Sequence, residues 1–137
     1  MGFDKFGVIS HTPETNVADF VNYLGQGKVM ATKCKKCGAV YFPPRVDCAN
    51  CFSSDPEWFE VKGEGKLLTF SMVNYGPMGF EDTAPYTLGV ADFGPGLKIF
   101  SYLNKEVPQS EIKVGLKLKV APVKLADDRV TYEFRKA

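Results

Sequence analysis

CKKCGAVYFPPRVDCANC, residues 34–51, is the stretch that decides the fold of this 137-residue chain. It holds all four cysteines, arranged as two C-x-x-C pairs with ten residues between them. Two residues between ligands let one tight turn place both sulfurs on a single metal ion, and ten residues are enough for a short strand, a turn and a return. A structural zinc ribbon is therefore predicted, with four ligands: Cys34, Cys37, Cys48 and Cys51.

Other uses of the four cysteines are weighed against zinc. Iron in a rubredoxin-like site takes the same four ligands, and this alternative stays open. Disulfides are uncommon in the reducing cytoplasm, where the chain is expected because it shows neither a signal peptide nor an apolar run long enough to cross a bilayer. A thioredoxin-like motif would need one C-x-x-C in a β-α-β setting. Four thiolates also close the metal's shell, which leaves no position for a catalytic water.

The overall composition is that of an ordinary globular chain. Seventeen Lys and Arg face sixteen Asp and Glu, giving a net charge of +1, and 45% of the residues are apolar. Nucleic-acid binding draws much of its affinity from basic side chains that meet phosphates. The near-neutral balance therefore ranks a nucleic-acid partner low, and no membrane partner is expected.

Outside the cysteines, the sequence predicts one short helix followed by strands. Val17, Phe20, Val21 and Leu24 repeat with helical spacing, Asn16 is a candidate cap, and Gly25 and Gly27 end the pattern. From Trp58 onward, five strand-like segments follow without β-α alternation, and a slip in the apolar phase of the first, after Met72, predicts a β-bulge there.

The last segment alternates cleanly, which places Val130, Tyr132 and Phe134 on one face and Glu133 with the other polar residues on the opposite face. Most strand aromatics fall at inward positions.

The predicted fold is mainly β: a rubredoxin-like zinc ribbon and a five-stranded OB-fold barrel with a short N-terminal helix. An SH3-like barrel is the competitor. The predicted boundaries are a helical segment at 1–33, the ribbon at 34–57 and the barrel at 58–137.

Two apolar stretches are candidates for contact with a partner or ligand. The loop at 76–85 carries Met78 and Phe80 among turn-forming residues, and apolar loop side chains must be buried either in the protein or against something else. Beside the ribbon, Phe42 and Pro44 form a stiff apolar edge that is followed by Arg45.

The sequence offers no complete catalytic site. The predicted zinc site uses every cysteine, the only histidine is His11, and no nucleophile elbow, P-loop or dinucleotide fingerprint is present. No catalytic residue is therefore assigned, and a binding role is favoured.

The order of features resembles the zinc-ribbon plus OB-fold family of acyl-CoA-associated proteins over nearly the whole chain. The resemblance rests on seven features taken in order: Cys34-Lys35-Lys36-Cys37-Gly38, Tyr41-Phe42-Pro43-Pro44-Arg45, Cys48-Ala49-Asn50-Cys51, Trp58, Gly63-Glu64-Gly65, Pro85-Tyr86 and Phe134-Arg135. Family members often carry a longer, two-helix N-terminal segment, from which this chain departs.

The resemblance implies a non-catalytic accessory subunit of an acyl-CoA enzyme, with a thiolase or thiolase-like partner in a hetero-oligomer. Such a subunit stabilises the partner or helps to hold the CoA ester, and the residues expected to face partner or CoA are Phe42, Pro44, Arg45, Met78 and Phe80. A single-stranded nucleic-acid binder ranks second. A stand-alone thioesterase ranks third, because the nucleophile and base are missing.

Overall fold

A computed structural model describes residues 2–9 and 12–137, so His11 lies outside the described residues. Eight strands and one α-helix form in this part of the chain. In chain order they are α1 (Asp19–Gly25), β1 (Met30–Cys34), β2 (Val40–Tyr41), β3 (Pro56–Glu60), β4 (Gly65–Val73), β5 (Tyr86–Asp92), β6 (Lys98–Tyr102), β7 (Lys117–Lys124) and β8 (Val130–Lys136). Short 3-10 helices add Phe3–Lys5 and Gln109–Glu111.

The first three strands form the ribbon as an antiparallel sheet in the order β2-β1-β3. Strand β1 pairs with β3 from Met30, opposite Glu60, to Cys34, opposite Pro56. Cys34 is therefore the last residue of the central strand. The sheet thus holds one metal ligand directly on a paired backbone.

The remaining five strands form the predicted barrel. Their order is β6-β5-β4-β7-β8, all neighbours are antiparallel, and a parallel bridge between Leu103 and Phe134 closes the sheet on itself. Its centre is fully buried and contains Leu67, Ala91, Ile99, Leu118 and Phe134. The mainly β fold, with a ribbon and an OB-fold barrel, is confirmed.

The predicted bulge exists, but at a different position. The phase of the apolar residues placed it near Met72, whereas the pairing of β4 with β5 shifts between Leu67 and Thr69. Leu67 is fully buried, while Leu68, Phe70 and Met72 are 40%, 42% and 46% exposed. The misplacement arose because these three apolar residues lie beyond the closed part of the barrel.

The helix joins the ribbon to the barrel. Phe20, Val21 and Leu24 are buried as predicted, and the Phe20 ring lies 5.9 Å from Phe42 of the ribbon and 6.0 Å from Tyr132 of the barrel. Burying a phenylalanine of this kind contributes about 2–3 kcal/mol. Asn16 does not cap the helix, which begins after Ala18 without a side-chain cap bond.

Strand β8 departs from the predicted alternation at Glu133. The sequence places this residue on the polar face, yet it is only 5% exposed. Its Oε1 accepts hydrogen bonds from Asn104 Nδ2 at 2.7 Å and from Arg135 Nε at 2.9 Å. These two donors satisfy the buried carboxylate, which would otherwise be costly to bury.

Candidate metal centre and neighbouring surfaces

The four cysteine sulfurs converge at one point. All four Sγ atoms lie within 4.8 Å of one another, with 3.5 Å between Cys34 and Cys51 and 3.4 Å between Cys37 and Cys48. Sulfurs at the corners of a tetrahedron around Zn²⁺ are about 3.8 Å apart, given a Zn–S distance of about 2.3 Å. The donor set and its spacing therefore fit one tetrahedral metal ion.

Two equivalent turns, here called the knuckles, carry the ligands. In the first knuckle the Gly38 amide donates to the Cys34 carbonyl at 2.9 Å, and in the second the Phe52 amide donates to the Cys48 carbonyl at 2.9 Å. The residue that follows the second cysteine has a positive φ in both knuckles, +79° at Gly38 and +62° at Phe52. The same local backbone thus presents both pairs of sulfurs.

The electrostatics of the cluster favour a bound cation. The hydrogen bond from the Tyr41 hydroxyl, with help from backbone amides, lowers the pKa of Cys48 to about 6, and the Cys37 amide lowers the pKa of Cys34. At Cys51 the Ser53 amide acts in the lowering direction, but burial and the neighbouring cysteines raise its pKa to about 11. Cys34 and Cys48 therefore form thiolates readily, whereas ionisation of Cys51 beside them is opposed. A bound divalent cation removes the repulsion between the thiolates.

Tyr41 supports the second knuckle through its hydroxyl. This oxygen lies 3.3 Å from Cys48 Sγ and accepts the Ala49 amide at 2.9 Å. Beside the cluster, the Nζ of Lys35 lies 3.5 Å from the Asp55 carboxylate. In residues 2–9 and 12–137, the four cysteines are the only group of three or more candidate ligands close enough to share a metal ion.

The apolar edge beside the ribbon lies largely inside the protein. Pro44 is buried, and Phe42 is half-buried with its ring 5.2 Å from that of Tyr132. Arg45 is exposed, and its guanidinium lies 5.2 Å above the Tyr41 ring. Of these three residues, Arg45 is the most exposed.

The 76–85 loop divides its two apolar residues between surface and interior. Met78 is 79% exposed, whereas Phe80 is half-buried, with its ring centroid 5.8 Å from that of Tyr86, and lines a cavity of about 600 Å³. The cavity is lined by residues of β5, β6 and β8, by the 76–85 loop and by residues 6–9. The last two segments meet at Gly79, where a Cβ would lie 2.7 Å from Val8 Cγ2.

Sequence reasoning missed one exposed residue of the metal centre, Phe52. Its side chain is 86% exposed although its backbone has the left-handed conformation that glycine adopts most readily. Comparison of the two C-x-x-C motifs could have indicated it, because Gly38 and Phe52 occupy equivalent positions.

Among the described residues, no helix is long and apolar enough to cross a membrane.

Comparisons with known proteins agree with this architecture. Residues 22–57 match the rubredoxin-like zinc ribbon domain of ChsH2, and residues 58–122 match the ChsH2 C-terminal OB-fold domain. A DUF35 domain-containing scaffold protein of Methanocaldococcus jannaschii is 28% identical over 112 residues, 78% of this chain and 79% of that protein.

Two further proteins extend the comparison. The benzoylsuccinyl-CoA thiolase subunit BbsA of Thauera aromatica is 32% identical over 107 residues, 76% of this chain and 73% of that protein. The solved Ltp2-ChsH2(DUF35) aldolase superposes with a TM-score of 0.76 at 19% identity, covering 92% of this chain and 98% of that one, which supports the fold. The chain belongs to the ChsH2-type family, in which a rubredoxin-like zinc ribbon precedes a C-terminal OB-fold domain.

Proposed function

We propose that this chain is a non-catalytic accessory subunit of an acyl-CoA enzyme complex, with a thiolase or thiolase-like partner. The observation that carries the proposal is the convergence of all four cysteines on one metal site. Acyl transfer through a thiolase needs a cysteine nucleophile and a base that can reach it. This chain has no further thiol, so the partner supplies the chemistry.

The names of relatives support the same role. One is named as a thiolase subunit and another as a scaffold protein. Both cover more than two thirds of this chain. We extend their role to this chain as stabilisation of the partner.

We also propose that the chain helps to hold the CoA ester. Arg45 is exposed and offers a planar guanidinium, a group that binds phosphate through paired hydrogen bonds. The apolar cavity beside Phe80 has a volume within the range of small-molecule sites and would suit the acyl portion. Tyr132 also lines this cavity, and burial raises the pKa of its hydroxyl to about 12.

The main experiment is co-expression with thiolase-like proteins encoded near this chain's gene. A stable complex is expected on size-exclusion chromatography with light scattering, and the partner should have a higher unfolding temperature in the complex than alone. If the chain stays separate from every such acyl-CoA enzyme, the proposal is wrong.

The CoA role is tested in that complex with Arg45→Ala. Loss of one phosphate contact should raise the KM for the acyl-CoA about fivefold while kcat changes little. Lys105→Ala removes an exposed cation elsewhere and is the matched control. Equal effects of the two variants would contradict a specific role for Arg45.

Single-stranded nucleic-acid binding remains the second candidate because of one observation. Phe100 is 59% exposed and Phe70 is 42% exposed, whereas the sequence placed most strand aromatics inside. Exposed aromatics can stack on bases, but such sites also need a basic groove. Salt-sensitive binding of a fluorescent single-stranded DNA or RNA would favour this function over the first.

A further inference from the structure

Strand β4 has one edge that no described strand covers. It pairs with β5 from Lys66 to Val73, but with β7 only at Gly65 and Lys66. The last backbone bonds on the β7 side belong to Leu67, whose amide donates to Leu116 at 2.9 Å and whose carbonyl accepts the Gly115 amide at 2.7 Å. Residues 68–72 are all exposed. We call residues 68–73 on this side the open edge.

The hydrogen-bond phase of the sheet shows which backbone groups face the open edge. Met72 lies opposite Thr87, and the Thr87 carbonyl accepts the Leu103 amide, so Thr87 points toward β6 rather than β4. Antiparallel neighbours alternate between pairs that bond each other and pairs that point outward. Met72 therefore directs its amide and carbonyl to the open edge, and Phe70, two residues earlier, does the same.

From residue 69 onward, the open edge lacks the features that usually protect exposed strands. Natural sheet edges are protected by charged side chains, proline, bulges or a covering segment. The bulge of β4 lies at Leu68, the first residue of the open edge, and the pairing with β5 is regular from Thr69 to Val73. Residues 67–80 contain no charged side chain in a chain that is 24% charged. The same stretch also contains five large apolar residues whose side chains are exposed: Leu68, Phe70, Met72, Tyr75 and Met78.

The exposed backbone groups and the uncharged side chains of the open edge indicate which kind of molecule would bind there. Free amides and carbonyls at Phe70 and Met72 are satisfied together by an extended polypeptide, which adds its own alternating groups to the sheet. Phe70 and Met72 also share one face and would meet apolar side chains at alternate positions of that segment. Because the edge carries no charge, an uncharged segment complements it better than an acidic or basic one.

We propose that the open edge of β4 binds an extended, uncharged segment of the partner subunit as an added antiparallel or parallel strand. This inference rests on the proposed function, since the partner is the acyl-CoA enzyme, and it adds the surface and the mode of binding. The ribbon and the closed part of the barrel then serve to hold β4 in place.

The test compares backbone and side-chain effects at Met72. Met72→Pro removes the amide that faces the open edge but leaves the ladder with β5 intact, because an edge strand tolerates proline when its N–H side faces solvent. It should weaken partner binding about tenfold, because one backbone hydrogen bond to the added strand is lost and the adjacent ones are weakened. Met72→Ala keeps the amide and should weaken binding about threefold. Ser71→Ala, at a neighbouring residue whose backbone faces β5, is the matched control.

Amide hydrogen exchange at single-residue resolution provides a readout that does not depend on a variant folding. In the free chain, the amides of Phe70 and Met72 should exchange rapidly, whereas those of Ser71 and Val73 should be slow because they bond to β5. In the complex, Phe70 and Met72 should slow by at least about tenfold. This change at alternate residues is the signature of an added strand.

Each contrary result has a distinct meaning. If the complex forms but Phe70 and Met72 exchange as fast as in the free chain, the open-edge inference is wrong and the proposed function stands. If the chain alone is a dimer with both amides already slow, the occupant is a second copy and the inference is overturned. If no complex forms with any acyl-CoA enzyme, both proposals fail.

Discussion

The two knuckles of the ribbon share one backbone geometry but differ in the residue that follows the second cysteine. Gly38 and Phe52 make the same hydrogen bond back to the first cysteine of the pair, and both have a positive φ. Glycine adopts this conformation freely, whereas any residue with a Cβ is strained by about 1–2 kcal/mol. The first knuckle therefore has an unstrained residue at this position. The second has a strained and exposed phenylalanine, which folding does not require.

A second difference concerns how each knuckle stabilises its thiolates. The pKa of Cys34 is lowered mainly by the backbone amide of Cys37 within its own turn. The pKa of Cys48 is lowered mainly by a side chain, the Tyr41 hydroxyl that comes from β2. The Cys48 thiolate of the second knuckle is thus stabilised by a side chain from another strand. A single substitution of that side chain can therefore change its pKa.

The largest expected effect removes one ligand from either knuckle. Cys37→Ser and Cys51→Ser should each abolish metal binding and destabilise the chain by about 3 kcal/mol or more, because the metal's binding energy is also folding energy. Elemental analysis of metal per chain, together with denaturant unfolding, measures both effects and decides between zinc and iron. Ala49→Ser introduces the same side chain at an exposed neighbour and should change neither. Retention of one metal ion by either cysteine variant would contradict the four-ligand site.

The sequence was sufficient to predict the clustering of the four cysteines and the barrel because both depend on short-range patterns. The spacing of the C-x-x-C pairs specifies the knuckles, and the alternation along β8 specifies which side of that strand holds Phe134. Glu133 escaped prediction because its burial depends on Asn104, 29 residues away, which no local pattern reveals. The open edge of β4 escaped for a similar reason: apolar alternation shows that a strand has a face, but not where its neighbour strand stops.

The next largest effect removes the external support of the second knuckle. Tyr41→Phe deletes the hydroxyl that lies 3.3 Å from Cys48 Sγ, and metal affinity should fall about tenfold, as is usual when a partner of a ligand is lost. The pKa of Cys48 should rise from about 6 toward the ordinary thiol value of 9.0. Protons then compete with the metal more strongly, so metal release during acidification should begin at a higher pH than in the wild type.

A metal-release titration with a chromogenic chelator measures this shift. Tyr23→Phe removes a hydroxyl from the aromatic pair that Tyr23 forms with Trp58 in the helix–ribbon contact, and serves as the matched control. Identical release curves for Tyr41→Phe and the wild type would show that the backbone alone supports both knuckles.

A smaller effect is expected at the glycine of the first knuckle. Gly38→Ala should destabilise the chain by about 1 kcal/mol because alanine resists the φ of +79°. A steric clash is not the cause, since the nearest atom to a Cβ there would be Lys33 Cε at 3.9 Å. Denaturant unfolding of the metal-loaded chain measures the change, and a neutral result would mean that φ strain at this position is absorbed by the turn.

The smallest expected effect has the opposite sign and tests the comparison most directly. Phe52→Gly should stabilise the chain by about 0.5 kcal/mol, because relief of the strain at φ +62° exceeds the extra entropy that glycine gives the unfolded chain. The ring is 86% exposed, so its removal leaves no cavity. Exposed aromatics retained at such a cost are typical anchors of interfaces, and partner affinity should therefore fall about fivefold as stability rises. Gly38→Ala is the control, since it should lower stability without weakening the complex. If Phe52→Gly is more stable than the wild type and binds the partner with the same affinity, Phe52 makes no contact with the partner. The difference between the two knuckles then has no role in partner binding.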